Sequence, residues 1–299
     1  MGLGELPLPL TVGLGIAAVL VLITLIWQAL SSSVRSRKVR FGSIIDFGPP
    51  PKEPKPGTVV GGRYILGPAL DKGNASALYE ARDLSDQNRL VRRTRGEHFE
   101  RIKAGAALRH PNIQAVESAV SEAGHAYLVY EPASGHPLSK FLDGLPSRRM
   151  PMDQCLQVLK GACEAVDYAH SKNVFHGHLC PPYIIIDRSQ SRIKDFGIPP
   201  EPFEQDYLAP EQELGAVGAD SDLFGLGACL YEMLTGEPPY QGASIEAKRE
   251  GQFSPASSKV KGLPAAVDAI LAQALNPEPA KRFRSAAELF QSFAKAAGK

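Results

Sequence analysis

Residues 176–197 read HGHLCPPYIIIDRSQSRIKDFG, and the fold turns on how this stretch is read. Ile184–Ile186 is an apolar triplet between polar segments, the pattern of a buried strand. His176, His178 and Cys180 alternate, so in extended chain they could share one side and hold a metal ion. Such a loop is not a flat strand, however, so the metal reading is the weaker one. Outward toward the C-terminus, the segment from Asp195 to Glu211 contains no Ser or Thr. Helices are predicted over Asp222–Leu234, Pro264–Leu275 and Ser285–Ala296, the last with Ser285 as cap and Glu288 three residues on. Lys281, Arg282 and Arg284 form a short basic run.

Outward toward the N-terminus, Cys155, Leu156, Leu159, Cys163 and Val166 recur at helical spacing behind Asp153, a candidate N-cap. Cys155 and Cys163 share one face and are read as core. His170 is expected at that helix's end, where its charge meets the C-terminal dipole. Earlier still, Tyr64–Leu66, Leu78–Ala81, Leu90–Arg92 and Ala126–Tyr130 read as strands, and Glu97–Leu108 as a helix. The body is therefore a small β-rich half followed by a larger helical half, with no internal repeat.

Composition narrows the function classes. Lys+Arg number 33 and Asp+Glu 32, a net charge of +1 in 299 residues, so no bulk field favours nucleic acid. Four cysteines without a CxxC pair exclude a disulfide scaffold and disfavour a zinc knuckle. Residues 6–34 carry no charged side chain. Residues 11–30 (TVGLGIAAVLVLITLIWQAL) form an apolar 20-mer, about 30 Å as a helix and enough to span a bilayer. A cleaved signal would need a basic start and a shorter run, but Glu5 is the charge that precedes it. Leu6 stands where N-myristoylation wants Ser or Thr. Arg35, Arg37, Lys38 and Arg40 follow the span, which places the body in the cytoplasm by the positive-inside rule. The expected organisation is a short extracytoplasmic segment at 1–10, a transmembrane helix at 11–30 and a basic, then Pro-rich linker at 31–60. The body follows, as an N-lobe over 61–134 and a C-lobe over 135–299.

The body resembles the eukaryotic-type protein kinases, especially bacterial Ser/Thr kinases, over about residues 62–297. The matching motifs run in order. They are Arg109-His110-Pro111-Asn112-Ile113, Tyr127-Leu128-Val129-Tyr130-Glu131, His176-Gly177-His178-Leu179, Asp195-Phe196-Gly197, Ala209-Pro210-Glu211, Asp222 to Gly227, Leu234-Thr235-Gly236 and Arg282. The resemblance implies an α+β, bilobal fold that binds ATP and magnesium. It assigns structural roles to His176, Phe196, Gly197, Glu211, Asp222 and Arg282. It lays the nucleotide cleft on Gly73, Arg93, Glu131, Ala133 and Asp195, with Asp195 as the magnesium ligand.

The departures fall on the chemistry. Of the glycine-rich loop only Gly73 survives, with Asp71 and Ser76 replacing the other two glycines. Arg93 stands for the phosphate-binding lysine and Val91 for the small residue before it. Arg101 stands near the glutamate that should orient that lysine, and an Arg93–Arg101 pair would repel. Glu100 is one residue away, about 100° around the helix. In the catalytic loop His178 replaces the aspartate base, Cys180 the lysine and Tyr183 the metal-binding asparagine. Neutral Tyr183 is a poor magnesium ligand. Gly177 replaces the arginine that would read an activation-segment phosphate. The expected function is a membrane-anchored pseudokinase acting as a scaffold or allosteric binding module. Its expected partners are proteins, such as an active kinase or a membrane-associated assembly. The alternative is a divergent Ser/Thr kinase using His178 as base.

Overall fold

The N-terminal half of the body is built on one antiparallel sheet. In the computed structural model the described residues are 53–299 other than 133, 189, 243 and 244, with Pro202 and Phe203 described by backbone alone. Six strands, β1 (Val59–Val60), β2 (Tyr64–Lys72), β3 (Ser76–Asp83), β4 (Asn88–Arg95), β5 (Ser118–Glu122) and β6 (His125–Tyr130), pair in the order β1-β2-β3-β4-β6-β5. Period-two alternation gives the sheet two apolar faces. Tyr64, Leu66, Tyr79, Val91 and Val129 cluster on one face. Leu90, Ala126, Leu128 and Tyr130 lie on the other, against Ile102 and Ala106 of helix α1 (Phe99–Ala106) and against Ile198.

The strands are longer than the apolar cores that announce them, because pairing carries polar residues into the ladder. β5 is half-buried to exposed and carries no strong apolar alternation, so sequence alone does not reveal it. The helix expected over 97–108 is shorter. A single 3-10 turn at Gly96–His98 precedes α1.

The C-terminal half packs helices α2 (Leu138–Asp143), α3 (Met152–Ser171), α4 (Ala219–Thr235), α5 (Ile245–Arg249), α6 (Ala256–Lys259), α7 (Ala265–Ala274) and α8 (Ala286–Ala296). Leu159, Val166, Leu226, Leu230, Leu271 and Phe293 meet in its core. A three-stranded sheet, β7 (His136–Pro137), β8 (Ile184–Asp187) and β9 (Gln190–Ile193), lies against α3 and includes the anticipated strand. Pro151, not Asp153, is the N-cap of α3. Proline fixes the entry backbone and lacks the N–H that would go unpaired there. Ser285 does cap α8, its Oγ accepting from Glu288 N at 3.1 Å. Glu288 closes the turn on Arg284 N at 2.7 Å. Cys155, Cys163, Cys180 and Cys229 are buried free thiols.

Asn112 ties the halves together, since its carbonyl accepts from Ile193 N at 2.8 Å and its Nδ2 donates to Ser191 O at 2.9 Å. Among the described residues no helix is long and apolar enough to cross a membrane. The span expected at 11–30 and most of the linker lie outside the described residues.

Candidate active site

The loop that follows α3 is pinned from below by one carboxylate. Asp222, buried in the first turn of α4, accepts from His176 N at 2.9 Å and Gly177 N at 2.7 Å. His170 Nε2 lies 2.8 Å from the same carboxylate, so its partner is Asp222 rather than its own helix end. The His176 ring meets Lys194 O at 3.0 Å and packs 5.1 Å from the Phe196 ring.

His178 sits between the rings of His176, at 4.4 Å, and Tyr183, at 4.7 Å. It is 2% exposed, and neither ring nitrogen has a hydrogen-bond partner among the described residues. Burial, then the charges of His176 and Arg101, push its pKa well below the usual imidazole range. A neutral imidazole could accept a proton, and this one is buried in aromatic packing. Tyr183 gives its hydroxyl proton to a bond with Glu204. Burial drives the Glu204 carboxyl up to about 8. Cys180 is buried, and burial lifts its thiol well above the usual range.

The sheet decides which arginine enters the cleft. Leu90 pairs with Tyr130 and Arg92 with Leu128, so Arg92 and Tyr130 share the face toward α1. Arg93 projects from the opposite face, its Nη2 2.5 Å from His125 Nε2. This corrects the assignment of Arg93 to the phosphate-binding position: Arg92 stands there. The anticipated repulsion between Arg93 and Arg101 does not arise. Arg101 instead donates to Gly197 O at 2.8 Å and Ile198 O at 3.2 Å. Helix α1 can come this close because residue 105 is glycine. A Cβ there would run into the carbonyl of Phe196.

Asp195 is hydrogen-bonded on one oxygen and ion-paired on the other, where Oδ2 and Arg92 Nε lie close but make no well-formed hydrogen bond. Arg92 Nε lies 2.9 Å from its Oδ2, Tyr130 donates its hydroxyl to Oδ1, and Lys194 Nζ is 3.9 Å away. Burial alone would raise its pKa, but Arg92 and then Lys194 outweigh it and hold the carboxyl below the ordinary range. The donor set does not suit magnesium, which wants several unencumbered oxygens in octahedral array. One carboxylate is held by a guanidinium and a phenol, and the second family position is a tyrosine already bonded to a carboxyl. Among the described residues no group of three or more His, Cys, Asp or Glu is placed to hold a metal ion, and His176 and His178 instead pack against each other and against Phe196 and Tyr183.

Nor do the phosphate-facing amides wait for a nucleotide. Asn74 N, Ala75 N and Ser76 N point at the Glu201 carboxylate at 2.7–3.0 Å, and Ser76 Oγ joins at 3.2 Å. Gly73 makes room for this, since a Cβ at that position would overlap the carboxylate. A cavity of about 430 Å³ remains beside it, lined by Asp71, Lys72, Tyr183 and Lys194 among others. Glu131 is exposed, and Ala133 lies outside the described residues. Beside Pro132 a cavity of about 770 Å³ opens, lined by Leu70, Glu80, Arg82 and Leu90 among others. Sequence reasoning missed Arg92, Tyr130, Lys194 and Glu201. Only the Pro-Glu-Pro bracket around Glu201 offered a signal.

Behind the cleft, Arg282 holds Glu211 bidentately at 2.6 and 2.8 Å. Burial acts to raise the Glu211 carboxyl, but the Arg282 bonds prevail and lower it.

Comparison with known proteins fits this geometry. The protein kinase domain family matches residues 84–293. The serine/threonine-protein kinase PknB of Mycobacterium leprae is 31% identical over 264 residues, covering 76% of this chain and 42% of that protein. A probable serine/threonine-protein kinase of Streptomyces coelicolor is 30% identical over 266 residues, covering 77% and 39%. The chain thus spans about two-fifths of the length of these relatives. The crystal structure of the Mycobacterium tuberculosis PknI kinase domain superposes with a TM-score of 0.71 at 23% identity, covering 83% of this chain and all of that one, a likeness of fold. With its ordered motifs, two-lobed architecture and these relatives, the chain belongs to the eukaryotic-type protein kinase family.

Proposed function

We propose that the chain is a membrane-anchored pseudokinase, a kinase-shaped module that binds protein partners rather than transferring phosphate. The observation that carries this reading is the Asp195 carboxylate, ion-paired with Arg92 on one oxygen and hydrogen-bonded by Tyr130 on the other. Phosphoryl transfer depends on positioning a nucleotide, its metal ions and a base. Here the carboxylate that should hold metal neutralises an arginine, and the residue at the base position is sealed in aromatic packing. What persists is the skeleton: Asp222 under the loop, His176 against Phe196, and Glu211 with Arg282. Such a skeleton suits a recognition surface. The apolar run at 11–30, followed by four basic residues, supports anchorage with the body on the cytoplasmic side.

The test is phosphotransfer by the full chain in lipid nanodiscs, supplied with radiolabelled ATP, magnesium and either itself or a generic basic protein as acceptor. No transfer above background is expected. Transfer that disappears in Asp195→Ala would establish the divergent active kinase instead.

A further inference from the structure

The glycine-rich loop is not slack, although it has lost two of its glycines. Three successive amides, Asn74, Ala75 and Ser76, converge on one carboxylate that lies more than a hundred residues away in the chain. Successive N–H groups aimed at one point form an anion seat. The occupant comes from the protein itself. We propose that Glu201 is an internal stand-in for a phosphate group, a plug carried by the activation segment that locks the loop down and keeps phosphate-bearing ligands out.

Four observations converge. Glu201 is 4% exposed and makes five contacts with the loop, two of them from Ala75 N at 3.0 Å and one from Ser76 Oγ at 3.2 Å. Gly73 is the residue that permits its approach. Pro199, Pro200 and Pro202 bracket it, so its backbone is stiff before the contact forms and little entropy is lost on seating it. Basic side chains lie beside the seat. Arg92 Nη1 donates to Ser76 Oγ at 3.1 Å, and Lys194 lines the adjoining cavity. A tethered carboxylate also competes at an effective concentration of about millimolar or more, which a free anion must exceed. Arg92 is paired with Asp195 and Asp71 lines the same cavity, so a seat vacated by Glu201 would hold a phosphate-bearing anion through the three amides, with Lys72 and Lys194 nearby and no magnesium needed.

This inference deepens the non-catalytic reading, and the two fail separately. The test is hydrogen exchange of the residue 74–76 amides in the full chain in nanodiscs, with EDTA present and inorganic pyrophosphate as the probe. In the wild type these amides should be protected, and pyrophosphate should change nothing. In Glu201→Ala they should exchange roughly tenfold faster or more, as expected for loss of charged acceptors, and pyrophosphate should restore protection. Glu201→Gln, which keeps the shape and one accepting oxygen, should fall between. Unprotected amides in the wild type overturn the plug, whether or not a variant folds. So does equal protection in wild type and a folded Glu201→Ala, or pyrophosphate protecting the wild type as well as the variant. Phosphotransfer by the wild type would overturn the non-catalytic reading and leave the exchange result standing.

Discussion

Arg92 and Asp195 are 6% and 3% exposed, so neither can lose the other without leaving a charge in the interior. Breaking a buried pair from one side costs about 3–5 kcal/mol. Arg92→Met should therefore destabilise the protein by about that amount in urea unfolding. Adding Asp195→Asn, which still accepts from Tyr130, should recover most of the loss. An undiminished loss in the double variant would refute the pairing. Glu204 predicts a pH effect of definite sign. Its carboxyl is raised from 4.5 to about 8, so the folded chain holds a proton there that the unfolded chain releases. Stability attached to this group is present below about 4.5 and is lost as pH rises toward about 8. Glu204→Gln cannot titrate, so its melting temperature should fall less than the wild type's between mildly acidic and mildly alkaline buffer. Parallel profiles would show that Glu204 does not titrate in this way.

Helix α1 makes a sharper case than its eight residues suggest. Glycine within a helix is worse than alanine by about 1 kcal/mol, so propensity alone favours Gly105→Ala. Its Cβ would nevertheless overlap the Phe196 carbonyl. We expect Gly105→Ala to lower the melting temperature, because α1 must retreat and the Arg101 bonds to Gly197 and Ile198 must stretch. A rise would show that the contact yields. Helix α8 offers a simpler check. Ser285 caps it through one hydrogen bond to Glu288 N, and Ser285→Ala should cost about 1 kcal/mol by chemical denaturation.

At the scale of the whole molecule, internal contacts join the parts of the body that face the cleft. Arg101 donates to the Gly197 carbonyl, Arg92 pairs with Asp195, and Glu201 accepts from the Asn74–Ser76 amides. The remaining prediction concerns placement. The full chain should stay with membranes through alkaline extraction, and removal of residues 11–30 should release it. Protease added outside intact cells should spare the body. Extraction of the full chain, or digestion of the body, would overturn the proposed anchor or its direction.

The order of motifs was enough to read the fold, because a kinase-like body is assembled from local signals. Ile184–Ile186 declares a buried strand and Ser285 with Glu288 a helix start, while Glu211 and Arg282 occupy positions a known architecture brings together. Equally legible is the histidine at 178, where the family motif carries aspartate. What one chain cannot display is which face of a strand meets the cleft. Arg92 and Arg93 are neighbours, and a shift of one residue sends a side chain to the other side of the sheet. Only the pairing of Leu90 with Tyr130 decides it. Glu201 lay deeper still, since nothing near it in sequence announces the Asn74–Ser76 amides. Contacts across such separations come from the packing of two lobes, and tertiary structure alone sets that packing.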